Sequence, residues 1–426
     1  MIDRNVAAGG TAADRRLKAM LDQADPSRAR REQARQMLEK LYQDETARTS
    51  QDVFNLAKLY LEDGNWSRAR SLLRELVTDY PDEPRYVAAY VESLLNHDEA
   101  ADAAIYLRRL AELAPNHWGT HSLQAAIHFH NGDYREALEG LKQFIGRADA
   151  VPNQEAARLR LVVSRLESFA RRLEQQGQSD PAALYANNAE ALYRRLGQQV
   201  PGQELPLAAF LARQDATDEA VTLLEENWEG AEPARVAQLA STLLESNALT
   251  PDQRTRAEKV VADALAKDPD AASLLMAMAG VRTQQRRYDD AEKYYRRILQ
   301  AHPENVVALN NLAVLLALRG IKLDEARQMV DKAIALQGPV PTMLDSRATV
   351  LMALGRYDQA VADMNQAVAD KASPLRLFHQ AQAQLLAGQR RAARRSLQAA
   401  LEKGLVADDL QPLEQPVLEQ LRQSLQ

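Results

Sequence analysis

The sequence predicts an all-α fold, a stack of about eleven helical hairpins closed by a C-terminal capping helix. Three observations predict it. First, one alanine recurs: Ala69, Ala103 and Ala137 at spacings of 34 and 34, then Ala257, Ala291, Ala326, Ala360 and Ala393 at 34, 35, 34 and 33. Second, large or small apolar residues follow each alanine at +4 and +7, as in Leu73 and Leu76, Tyr295 and Ile298, or Met364 and Ala367. An apolar set at 0, +4 and +7 is one face of a helix. Third, Pro81, Pro115, Pro269 and Pro303 each fall 12 residues after their alanine. Proline lacks an N–H and disfavours helix at the residue before it, so it ends the helix there.

A second apolar helix precedes each alanine: Leu56, Ala57 and Tyr60 in one unit, Leu312, Ala313 and Leu316 in another, Leu344, Ala348 and Leu351 in a third. Between the two helices stand the turns GNW at 64–66, GDY at 132–134 and GRY at 355–357. Glycine supplies the positive φ at the helix C-terminus, and the aromatic is expected to pack back between the two helices.

In chain order, Ala34 with Leu38 and Leu41 marks an opening hairpin over 13–49. Regular units follow to residue 151. The middle departs from the period: Ala189 with Tyr193, Leu196 and Pro201 fits the frame but lies 52 after Ala137, so the surplus lengthens a helix over 153–176. Ala220 follows at 31 and Ala257 at 37, which makes 204–269 irregular. Regular units resume over 270–407, and LQPLEQPVLEQLRQSLQ at the end reads as a short cap with a polar outer face. The expected division is 13–151, 152–269 and 270–426.

This pattern resembles the tetratricopeptide repeat (TPR) family, whose 34-residue unit carries W-x2-L-G-x2-Y, then A-x3-F, then P. The resemblance implies a right-handed α-solenoid of the kind found in bacterial TPR scaffolds. The alanine fits because two helices of a hairpin approach closely there. An arginine-rich composition, 42 of 53 basic residues, is shared with large bacterial members.

Composition narrows the function. The 426 residues contain no cysteine, so disulfides, thiolate catalysis and cysteine metal sites are excluded. A net charge of −6 argues against nucleic acid. The longest apolar runs, such as 312–318, fall far short of the roughly 20 residues of a membrane span. The first 20 residues hold no apolar stretch of the signal-peptide kind, so a cytoplasmic location is expected, or a periplasmic one if the chain is a fragment of an exported protein. No phosphate-binding loop, dinucleotide fingerprint, zinc-protease or nucleophile-elbow motif occurs, so no enzyme, catalytic residue or cofactor is expected.

Three clusters invite sharper readings. His117, His121, His128 and His130 stand near Trp118 and Phe129. His121 and His128 occupy slots where the family places large aromatics, so packing is expected rather than a metal or a pH switch. Arg390, Arg391, Arg394 and Arg395 form a basic patch without the interleaved aromatics of a base-stacking platform. Residues 201–233 carry eight acidic side chains against Arg213, and read as a solvated face or a dock for a basic partner.

The expected work is protein–protein interaction through a concave groove that takes a peptide or helix of a partner. The resemblance places groove-lining residues on the first helices. Carried over, these are Lys58, Arg85, Glu92 and Ser122 in the amino-terminal part, and Met276, Asn310, Val314, Thr349, Met352, Phe378 and Leu385 in the carboxy-terminal part. Neither the family's Lys/Asn/Arg carboxylate clamp nor its asparagine ladder is present: Asn55 and Lys58 are isolated, and only Asn55, Asn310 and Asn311 fall near ladder positions. The alternative is that the chain is the interaction region of a larger enzyme or secretion or assembly machine. Membership of a multiprotein complex suits either reading.

Overall fold

A computed structural model describes residues 10–23, 28–146, 152–200, 202–246 and 248–425. The N-terminal residues 1–9, the expected boundary residue 151 and Pro201 lie outside the described residues. Among those described there are 23 α-helices, one short 3-10 turn and no strand. The chain divides into two compact units, Met1–Gln203 and Glu204–Gln426.

The first unit holds ten helices: α1 (Ala12–Gln23), α2 (Arg28–Gln43), α3 (Ser50–Glu62), α4 (Trp66–Asp79), α5 (Pro84–Asn96), α6 (Ala100–Leu113), α7 (Trp118–His130), α8 (Tyr134–Gly146), α9 (Pro152–Gln175) and α10 (Ser179–Gln199). The second holds α11 (Glu204–Arg213), α12 (Thr217–Asn227), α13 (Pro233–Glu245), α14 (Pro251–Lys267), α15 (Ala272–Gln284), α16 (Tyr288–Ala301), α17 (Val306–Leu318), α18 (Leu323–Gln337), α19 (Pro341–Ala353), α20 (Tyr357–Asp370), α21 (Pro374–Leu386), α22 (Arg390–Glu402), the 3-10 turn Ala407–Asp409 and α23 (Gln415–Leu425). Consecutive odd and even helices pair as eleven hairpins, and α23 closes the series.

Local chemistry sets the helix ends. Thr49 with Asp52, and Thr250 with Gln253, form capping boxes at α3 and α14. Pro84, Pro233, Pro251, Pro341 and Pro374 open helices where their missing N–H has no partner to lose. The recurring alanines Ala69, Ala103, Ala137, Ala257, Ala291, Ala326, Ala360 and Ala393 are all 0% exposed. That is the close helix approach the period requires, since a longer side chain at such a contact has nowhere to go.

In most hairpins the inter-helix turn has a left-handed residue at its centre five residues before the alanine; the turn before Ala326 departs, with Gly320 and Lys322 left-handed, and the turn before Ala257 has none. Glycine takes that place at Gly64 (φ 71°), Gly132 (φ 85°) and Gly355 (φ 73°), but Asp98 (φ 60°), Asp215 (φ 57°) and Arg286 (φ 59°) take it in other hairpins. The aromatic after the turn does more than pack within its own hairpin. Trp66 stacks on His97 of the next turn at 4.1 Å and donates to Glu99 Oε1 at 2.8 Å. Tyr134 meets Tyr185 edge-on, and the Tyr185 hydroxyl donates to the Tyr134 carbonyl at 3.0 Å.

The expected long helix is α9, of 24 residues. Its turn glycine, Gly177 (φ 72°), precedes Ala182 by five, so Ala182 and not Ala189 is the alanine equivalent to Ala137. Both are buried. In a helix of 21 residues the inner face recurs every three or four positions, so apolar periodicity alone cannot tell one turn of α10 from the next.

The last hairpin is covered by α23, which buries Leu418, Leu421 and Leu425 against Phe378, Ala381 and Leu397. Each such leucine contributes about 1.5–3 kcal/mol. The polar face of α23 keeps the end of the series wet.

Candidate functional site

Within each unit the first helices of successive hairpins touch, and their shared face is where the open cavities lie.

In the first unit α3, α5 and α7, with α9, line a cavity of about 720 Å³. Lys58, Arg85, Glu92 and Ser122 all line it, as the family frame implied. Lys58 Nζ stands 4.6 Å and Arg85 Cζ 5.2 Å from the Phe54 ring centre, so one aromatic ring carries two cations. Arg165 of α9 also lines it. It donates to Ser122 Oγ, and its guanidinium lies 5.6 Å from the Phe169 ring centre. Burial pushes the Arg165 pKa down, only partly offset by the charge of Glu92. Arg165 was not foreseen: it lies in the segment where the repeat period lapses.

The histidines beside this cavity have separate duties. His117 caps α7, its Nδ1 accepting from Gly119 N at 3.1 Å. His121 is buried against Phe144 at 5.2 Å. His128 and His130 stand 3.7 Å from Asp133 and 3.9 Å from Asp98. Among the described residues no three His, Asp or Glu side chains are grouped to hold a metal.

In the second unit two adjoining cavities of about 320 and 420 Å³ share Gly280, Tyr295 and Asn311 and run along α13, α15, α17, α19 and α21. Met276, Asn310, Val314 and Thr349 line them. Asn311 Nδ2 reaches Met276 Sδ at 3.7 Å. Asn310 is 7% exposed, its Nδ2 donates to Asn311 Oδ1 at 3.2 Å, and its own Oδ1 has no partner.

Three expected residues are placed differently. Phe378 is 0% exposed and belongs to the core under α23. Met352 is buried with Ala348, Leu351 and Met364. Leu385 is half-buried against the core under α23 and lines neither cavity. The slot facing the cavity on α21 belongs to His379. Asn310, Asp345 and His379 are equivalent positions, 35 and 34 residues apart. The period drifts by a residue between repeats, and one residue turns a side chain about 100° round a helix, which exchanges a lining position for a core position.

His379 is the most constrained group of the cavity. Its Nδ1 lies 2.6 Å from Asp345 Oδ1 and its Nε2 2.8 Å from Glu414 Oε1. Burial alone would push the imidazole down, but the carboxylates of Asp345 and Glu414 outweigh it and raise its pKa to about 10. The separation of 34 residues between Asp345 and His379 is one repeat length, and that was the signal available in the sequence for this pair, whereas Glu414 lies beyond the last repeat.

The charged patches resolve locally. Arg390, Arg391, Arg394 and Arg395 are exposed on α22. Part of the acidic segment is met by α14: Arg256 binds Glu225 at 2.5 Å and approaches Asp218 at 3.7 Å, and Lys267 binds Glu229 at 3.0 Å.

The tetratricopeptide-repeat family model matches residues 54–117, 252–306 and 281–341, segments that fall on the hairpins described above. A TPR repeat-containing protein of Pseudomonas aeruginosa is 29% identical over 127 residues, covering 30% of this chain and 22% of that protein. The cellulose synthase operon protein C of Pseudomonas fluorescens is 32% identical over 156 residues, covering 34% of this chain and 12% of that protein. The matches thus span less than a quarter of either relative. Among solved structures, a tetratricopeptide repeat protein of Parabacteroides merdae aligns with TM-score 0.43 at 17% identity, over 61% of this chain and 97% of that one. Yeast Tom70 aligns with TM-score 0.42 at 13% identity, over 97% and 96%. With the buried alanine recurring at each matched hairpin, the chain carries tetratricopeptide repeats over residues 54–117 and 252–341.

Proposed function

We propose that the chain is a non-catalytic scaffold that binds a segment of a partner protein along the faces formed by its first helices. The observation that carries this reading is that cavities open where first helices of consecutive hairpins meet, floored by half-buried apolar residues and edged by polar groups. Such a surface takes an extended peptide or a helix, with apolar anchors supplying energy and polar groups fixing register.

Affinity capture with the intact chain, followed by mass spectrometry, tests it when three baits are compared. Proteins held by the wild-type chain should be lost from Ala88→Arg or Val314→Arg, which obstruct one cavity in each unit, and retained by Ala335→Arg on an outward face. Equal capture by all baits would place binding elsewhere, with the exposed α22 arginines as the next surface to reverse.

A second reading is favoured by one observation. The matched relatives are several times longer than the matched segments, at 22% and 12% coverage. In this reading the chain is the interaction region of a larger enzyme or assembly machine. A reading frame continuing well beyond these 426 residues into a non-repeat domain would select it.

A further inference from the structure

The groove of the second unit has a charge and a shape that narrow its ligand. Four carboxylates line its two cavities, Glu245, Asp345, Asp409 and Glu414, and among the lining residues there is no lysine or arginine. His379 opposes them, shared between Asp345 and Glu414. Arg376 stands behind the wall: its Nε is 4.0 Å from Asp345 Oδ2, while its Nη atoms donate to the Lys371 carbonyl and Thr342 Oγ1. The lining therefore carries excess negative charge among neutral hydroxyl and amide groups, with His379 as its one cation.

Two further observations point to an occupant. Asn310 is more than nine-tenths buried, yet its Oδ1 lacks a hydrogen-bond donor. A buried acceptor left unmet is costly, so such a group calls for a donor from outside the protein, whether water, an ion or a ligand. Gly280 lies inside α15 and lines both cavities. Its backbone has no left-handed φ that would call for glycine, and a Cβ added there would meet nothing within 4 Å. Glycine weakens a helix interior relative to every residue but proline, so its presence beside open space fits close approach of another backbone.

We infer that this groove seats an extended partner segment carrying a lysine or arginine, whose cationic head faces Asp345, Asp409 and Glu414 while an N–H of the segment donates to Asn310 Oδ1 over the space left by Gly280. This rests on the groove-binding reading above and gives it a chemical class. The groove of the first unit has the opposite bias, with Lys58, Arg85 and Arg165 against Glu83 and Glu92, so the two sites select different segments.

The test uses the full chain and blocked octapeptide sub-libraries, each with one position fixed as Lys, Arg, Glu or Leu and otherwise randomised, read by fluorescence anisotropy. The Lys and Arg sub-libraries should bind at least about tenfold tighter than the Glu sub-library, with affinity falling as salt rises. Val314→Lys, which brings a tethered ammonium to the carboxylates, should remove that preference. Gly280→Leu should remove binding while the melting temperature holds or rises. Ala335→Lys, on an outward face, should change neither. Lys and Arg preference that survives both Val314→Lys and Gly280→Leu overturns the proposal. Glu or Leu sub-libraries that bind best and are lost in Gly280→Leu also overturn it, yet leave the groove reading standing. Absence of binding by every sub-library removes both.

Discussion

Asp345 Oδ1 lies 2.6 Å from His379 Nδ1, a contact between equivalent positions of two consecutive hairpins. His379 then passes to Glu414, in the segment that leads into α23. A buried ionic relay thus links α19, α21 and the cap. Buried charges are tolerated only when paired and hydrogen-bonded, so each member depends on the other two.

The relay predicts a pH dependence with a definite sign. The His379 pKa rises on folding from 6.5 to about 10, so its stabilisation is fully present below about pH 6.5 and is lost as pH rises toward 10. The stability difference between the wild-type chain and His379→Gln should shrink over that window, by a few kcal/mol in order of magnitude. Denaturant titrations of both proteins at several pH values measure it. A difference that is flat from pH 6 to 10 would mean that folding leaves the imidazole pKa unshifted.

The alanine register predicts a graded response to leucine. Ala291 and Ala360 are 0% exposed at the helix contact, and Ala335 is exposed on the outer face of α18. Ala291→Leu and Ala360→Leu should each cost about 1–3 kcal/mol by overpacking, while Ala335→Leu stays within about 0.5 kcal/mol. Thermal melts of the three proteins read this directly.

The repeat was legible because eight alanines, four prolines and three glycine turns report one geometry many times. The structure follows that frame hairpin by hairpin where the spacing is regular. Legibility failed where the report is not redundant. In α10 an inner face long enough to carry Ala182, Tyr185 and Ala189 hides which turn begins the hairpin. On α21 a drift of one residue exchanged Phe378 for His379. Glu414 lies beyond the last repeat, so no period located it beside His379. Groove residues from regular hairpins, such as Lys58, Arg85 and Asn310, were legible for the opposite reason: their frame was fixed by neighbours on both sides.

The turn centres predict a stabilising change. Arg286 holds φ 59° on an exposed turn where other hairpins use glycine. The left-handed region costs a side-chain-bearing residue about 1–2 kcal/mol, and glycine returns part of that through its freer unfolded chain. Arg286→Gly should therefore raise stability by about 0.5–1 kcal/mol. The reverse change, Gly355→Ala at φ 73°, should lower it by about 1 kcal/mol. Equilibrium unfolding in urea distinguishes the two signs, and a loss for Arg286→Gly would mean that the arginine side chain makes a contact worth more than its backbone strain.

Phe378 and Val314 separate packing from binding. Both were expected on the groove, but Phe378 has no exposed surface and touches the leucines of α23, whereas Val314 is half-buried and faces the cavity. Phe378→Ala removes a whole ring from a close-packed contact and should cost about 3–5 kcal/mol, with the segment around 403–425 becoming the first site of protease cleavage. Val314→Ala should cost about 1 kcal/mol or less, because its outer surface has no neighbour to lose. Limited proteolysis and calorimetry of the two variants give the comparison. Were Phe378→Ala to leave the melting temperature unchanged, the aromatic would not be the anchor of the cap, and the C-terminal core would have to rest on Leu377, Leu397 and Leu405 instead.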